Sequence, residues 1–196
     1  RIMTKSALIS DDDFSAAVEA AQCLETDEPT SRGNYKIHYD VMLRWFADIK
    51  SEDWTADRVI QASLMVYGWM PTILEGRKLP CQYTRDRASG FGLRLGMANN
   101  DPSTLPEEDY CFVNGSYVGT SKFLHLWKPD YFAIWDSRVA CALAGRPVAS
   151  RLIERADLVL AYQVAMRRYC GGSPRRNIRD VETTLFRFGQ YLTQQR

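Results

Sequence analysis

Apolar residues recur three and four positions apart through most of this 196-residue chain, and nowhere do they alternate over the length of a strand. That spacing belongs to helices that bury one stripe of their surface. Phe14, Ala17, Val18, Ala21 and Leu24 make such a stripe over 13–24. Ile37, Val41, Trp45 and Ile49 make another over 35–49. A third, with Val59, Ile60, Leu64 and Tyr67, starts at Asp53 or Thr55. The stretch Gly68-Trp69-Met70-Pro71-Thr72 is expected to break it, because Pro71 has no N–H and restricts Met70. Short helices are predicted near Gly90 to Met97, over 102–109, capped by Ser103 or Thr104, and over 120–127. Asp136 is predicted to cap a helix that runs to Ala144 and closes at Gly145. Two long helices, over 149–169 and 179–193, flank Gly171-Gly172-Ser173-Pro174. The fold class is therefore all-α, a compact multi-helix bundle. With no repeat, low-complexity tract or linker in view, it reads as a single helical domain over 1–196.

Composition narrows the chemistry. Hydrophobic residues make up 45% and charged residues 25%, the balance of a folded globular protein. The longest apolar stretch, 63–74, contains Pro71 and is too short to span a bilayer. The N-terminal region carries Asp11, Asp12 and Asp13 where a secretory leader would be apolar. The expectation is a soluble, cytoplasmic protein with no membrane partner. Cys23, Cys81, Cys111, Cys141 and Cys170 are widely spaced and include no CxxC pair, and His38 and His125 are the only histidines. Reduced thiols are expected, with no metal site and no cofactor. No P-loop, GxGxxG, HExxH or GxSxG motif occurs. Residues 145–196 hold ten arginines against four carboxylates, so the basic end of the chain suits a solvated helix face or a surface that meets phosphates.

The most informative segment runs Val118-Gly119-Thr120-Ser121-Lys122, then Phe123-Leu124-His125-Leu126-Trp127, then Lys128-Pro129-Asp130-Tyr131-Phe132-Ala133-Ile134-Trp135-Asp136-Ser137-Arg138-Val139. It reads as a glycine turn, a lysine at a helix start, an apolar helix, a proline break and an aspartate at the next helix start. Short connections keep consecutive elements adjacent, so Lys122 and Asp136 are expected to share a cleft. This stretch resembles the core of the helix-hairpin-helix DNA glycosylase superfamily, its 8-oxoguanine DNA glycosylase-like branch in particular. Gly68 to Thr72 and Glu182 to Gly189 resemble, less closely, small bacterial proteins related to that branch, some of them associated with phage defence. The resemblance implies a helix-hairpin-helix-like element, duplex DNA with a flipped base as partner, and excision of a damaged or modified base in DNA repair or phage defence. It implies an essential carboxylate at Asp136 and a nucleophile, with lyase activity, at Lys122. Two features depart from the pattern. Lys122 and Asp136 are 14 positions apart, about a helical turn closer than in typical members, and the hairpin lacks their paired glycines.

The chemistry explains why such residues are wanted. Cleaving an N-glycosidic bond builds positive charge on the sugar, which a nearby carboxylate stabilises. Asp136 suits that role, and it is also a good helix cap by itself. A lysine that attacks the sugar carbon must be neutral. A positive charge near a helix N-terminus is unfavourable, so Lys122 calls for an anionic partner. A flipped base needs aromatic walls, for which Trp69, Tyr117 and Trp135 are the candidates. Asn114, Gly115, Gly119, Thr120, Ser121, Arg138, Arg175 and Arg176 are the candidate DNA-binding residues. Two non-catalytic alternatives stand beside this reading: a helical DNA-binding module, and a protein-interaction module.

Overall fold

The computed structural model describes residues 9–24, 33–69 and 84–195. The fold is all-helical: the described residues form eight α-helices and contain no strand. The Pro71 break, Cys81 and most of the polar turn around 25–34 lie outside the described residues. Among the described residues no helix is long and apolar enough to cross a membrane. The helices group into two compact units, one within residues 1–28 and 129–196, the other within 29–128.

The first unit contains α1 (Asp11–Gln22), α6 (Ser137–Ala144), α7 (Ala156–Gly171) and α8 (Ile178–Gln194). Ser10 caps α1 by accepting the Asp13 N–H, and the three aspartates of its first turn suit the positive end of the helix dipole. Phe14, Val18 and Ala21 face inward, as their spacing requires. Asp136 caps α6 and Gly145, at φ 62°, closes it, both as the sequence predicts. The expected helix over 149–169 is instead a 3-10 turn at Ser150–Leu152 followed by α7. The carbonyl of Ile153 is spent on the Trp135 indole N–H at 2.8 Å, so it does not continue a helical ladder. Along α8, Ile178, Val181, Glu182, Leu185 and Gly189 form the buried stripe. Gly189 meets the backbone of Arg138 so closely that a Cβ there would collide with its carbonyl, and α6 and α8 pack main chain to main chain.

The second unit contains α2 (Gly33–Ala47), α3 (Ala56–Trp69), α4 (Arg85–Met97) and α5 (Tyr117–Trp127). Its core is aromatic and centres on Phe123. That ring meets Phe46, Phe91 and Trp54 at centroid distances of 5.3, 5.5 and 5.7 Å. Phe91 also stacks on Phe112 at 4.1 Å. The helix expected over 102–109 is two 3-10 turns, Pro102–Thr104 and Glu107–Cys111, because Pro106 interrupts the ladder between them. Arg94 of α4 locks the second turn by a two-pronged ion pair with the buried carboxylate of Asp109, both bonds 2.6 Å.

Candidate functional site

In the first unit, residues 132–135 form a buried approach to α6 without regular secondary structure. Buried backbone groups must be paired within the protein. The Gln163 side chain does this for Ala133 on both counts, accepting its N–H at 2.9 Å and donating to its carbonyl at 2.6 Å. Tyr162 donates to the Ile134 carbonyl at 3.2 Å. This approach delivers Asp136, half-buried, at the head of α6. Its Oδ1 accepts both the Arg138 N–H at 2.9 Å and the Val139 N–H at 3.0 Å. Its Oδ2 takes no hydrogen bond from the described residues. Beneath lies Tyr162, whose phenol is held well above its ordinary range by burial first, then by the charges of Glu182 and Asp136. Glu182 is itself buried and pairs with Arg179, whose Nη1 reaches both carboxylate oxygens at 3.0 and 2.9 Å.

Trp135 does not wall a base pocket. It is 2% exposed, its ring packs on Tyr162 at 5.4 Å, and its N–H is committed to Ile153. Arg138, Arg175 and Arg176 are exposed. The Arg176 guanidinium lies 4.1 Å from the centroid of the Tyr169 ring and donates to the Tyr169 carbonyl. Arg167 lies over Tyr131 at 4.5 Å. A groove of about 440 Å³ in this unit is lined by Ala16, Ala17, Ala20, Leu143 and Phe188, and Asp136 is not among its walls.

In the second unit, Val113-Asn114-Gly115-Ser116 is a tight turn. The Ser116 N–H donates to the Val113 carbonyl at 3.1 Å, and Asn114 and Gly115 have φ of 58° and 59°. Positive φ at both central positions is the type I′ pattern that Asn-Gly favours. The turn joins the 3-10 segment Glu107–Cys111 to α5. Gly119 is not the turn glycine that the sequence suggested. It lies in the first turn of α5, which starts at Tyr117 with Ser116 as cap, and its missing side chain makes room for the Tyr67 hydroxyl. Thr120 and Ser121 are 0% and 3% exposed. Thr120 Oγ1 accepts the Val113 N–H at 2.8 Å, which ties the hairpin to the helix. The Ser121 hydroxyl donates to the Val118 carbonyl at 2.9 Å, so both hydroxyls make bonds within the fold.

Lys122 is half-buried in the second turn of α5, with its Nζ 5.7 Å from the centroid of Trp69. Trp69 is half-buried and lies 6.0 Å from Tyr39. One turn beyond Lys122, His125 is fully buried, its Nε2 2.6 Å from the Tyr39 hydroxyl. Tyr117 is half-buried. Lys122 and Asp136 belong to different units.

Sequence reasoning missed Gln163 and the Tyr39–His125 pair. Both carry a signal: a glutamine inside the apolar run from Leu158 to Met166, and a histidine inside Phe123-Leu124-His125-Leu126-Trp127. A polar group in such a run is buried and must be bonded. Among the described residues no three histidine, cysteine or carboxylate side chains group as metal ligands. No family model, curated protein or solved structure matches the chain.

Proposed function

We propose that this protein is a DNA glycosylase that releases a modified base by hydrolysing its N-glycosidic bond, with Asp136 as the essential carboxylate. One observation carries the reading. Asp136 divides its two oxygens: Oδ1 serves the cap of α6, while Oδ2 is unbonded among the described residues on a half-buried side chain. Such a carboxylate is held rigidly yet keeps an acceptor for a developing cation. In the reaction the base leaves with the electron pair of the glycosidic bond. Water adds to the sugar carbon, and a proton from that water goes to the departing base. The exposed Arg138, Arg175 and Arg176 supply phosphate contacts. Lys122 serves as a charged group, because the face of Trp69 attracts an ammonium. Attack on the sugar would need the neutral amine. The activity is then hydrolytic, without strand cleavage by the protein, and belongs to repair or phage defence in the cytoplasm.

The test uses duplexes carrying oxidised, alkylated or hypermodified bases, with alkali treatment to reveal abasic sites. Asp136→Asn is expected to abolish release and keep DNA binding, and Lys122→Met is expected to keep release. Borohydride is expected to trap no protein–DNA adduct. Base release by Asp136→Asn at the wild-type rate would refute the role of the carboxylate.

A second reading, a protein-interaction module, is favoured by one observation. Ile37, Val41, Leu64, Leu93 and Met97, all in the second unit, are 47–76% exposed. DNA binding that is absent, or insensitive to salt, selects this reading, since phosphate contacts impose a steep salt dependence.

A further inference from the structure

The approach to α6 has no regular secondary structure, yet it sets where Asp136 stands. Its conformation is held by side chains of α7. The Gln163 amide pairs with both the N–H and the carbonyl of Ala133, as a neighbouring strand would. Tyr162, the residue before it, holds the next carbonyl along, that of Ile134. Gln163 is 1% exposed, so no water competes for these bonds. Ala133 is three residues before Asp136. A shift of the main chain at Ala133 is passed to Asp136 through the buried Ile134 and Trp135, the latter anchored by its bond to the Ile153 carbonyl.

We infer that Gln163 is a positioning residue for Asp136: its two-way bond to Ala133 fixes how the chain enters α6 and thereby where Oδ2 stands. This rests on the excision reading for its consequence in catalysis, though its geometric half can be measured without turnover. The role demands a group that donates and accepts at once. An amide does so at any pH. A carboxyl does so only when protonated, and a thioether does neither.

The experiment compares wild type, Gln163→Met and Gln163→Glu in single-turnover release of a base that the wild type excises. Gln163→Met is expected to slow release on the order of 10- to 100-fold, the effect of a small misplacement of a reacting group, with DNA affinity unchanged. Gln163→Glu, ionised, accepts but cannot donate. Its protonated form restores both bonds. Its rate relative to wild type at the same pH therefore climbs as pH falls, while the Gln163→Met ratio stays flat. A residue that merely fills space gives no such rescue. Independently of turnover, the Arg138 and Val139 amides bonded by Asp136 report the cap in ¹H–¹⁵N spectra. They are expected to shift in Gln163→Met and to return in Gln163→Glu at low pH, with the α1 amides unmoved. Wild-type release by Gln163→Met with unmoved Arg138 and Val139 amides overturns the inference. So does a loss of DNA affinity in place of rate, or a pH-independent ratio for Gln163→Glu. If Gln163→Met does not fold, the pH dependence of Gln163→Glu decides. If the wild type releases no base from any duplex, the excision reading fails, and the amide shifts alone judge whether Gln163 positions Asp136.

Discussion

A Cβ added at Gly189 would run into the carbonyl of Arg138 and come within 2.9 Å of its Cα. Neither neighbour is the flexible end of a side chain, so a helix must move. Gly189→Ala is expected to cost about 1–3 kcal/mol, the range for overpacking a well-packed interior, read from the urea midpoint at unchanged m-value. A midpoint equal to wild type would show that α6 and α8 slide freely. Tyr162 makes a different prediction, in pH. Burial, then the charges of Glu182 and Asp136, raise its phenol pKa in the folded state. A raised folded pKa gives stability that is complete below the unfolded value of about 10 and is lost as pH rises above it, because only the unfolded chain then releases the proton. Urea midpoints should fall above that pH, and Tyr162→Phe should make the decline shallower. An equally steep decline in the variant assigns the loss to other tyrosines.

At the scale of the element, α6 lets the cap made by Asp136 be told apart from its proposed role in base release. Asparagine and aspartate are comparable caps, whereas alanine forfeits the bonds to the Arg138 and Val139 amides. Asp136→Ala is expected to lower stability by roughly 1 kcal/mol and to abolish base release. Asp136→Asn is expected to keep stability and still lose release, because an amide cannot offset the sugar's charge. If Asp136→Asn releases base like the wild type, the aspartate is a cap and nothing more. The cap was legible in the sequence, since Asp136 stands at the start of an apolar periodicity and Gly145 at its end. The stripe of α1 was legible for the same reason. The start of α5 was not, because Ser116, Tyr117 and Gly119 resemble a turn until Tyr67 is known to fill the space beside Gly119. The interior place of Trp135 was equally hidden. Its spacing fits a pocket wall or a core, and the bond to the Ile153 carbonyl joins residues 18 positions apart.

At the scale of the whole chain, periodicity sufficed for the helical class, because each helix advertises its own stripe. It could not give the grouping of helices, which depends on contacts distant in sequence. Thus α1 belongs with helices more than a hundred residues later, and residues 29–128 form a unit between them. No glycine- or serine-rich linker marks either boundary. The second unit has the makings of independent stability. Phe46, Trp54, Phe91, Phe112 and Phe123 form a continuous aromatic core, and Arg94 and Asp109 tie α4 to the turn before α5. About a hundred residues is a common domain size. A fragment of residues 29–128 is therefore expected to be helical by circular dichroism and to unfold cooperatively in urea. The complement cannot behave so simply, because α1 must find its partners across the removed segment, and linking 28 to 129 by a short glycine–serine bridge is the way to supply them. A fragment 29–128 with random-coil dichroism would show that this aromatic core is not enough, and that its stability depends on the rest of the chain.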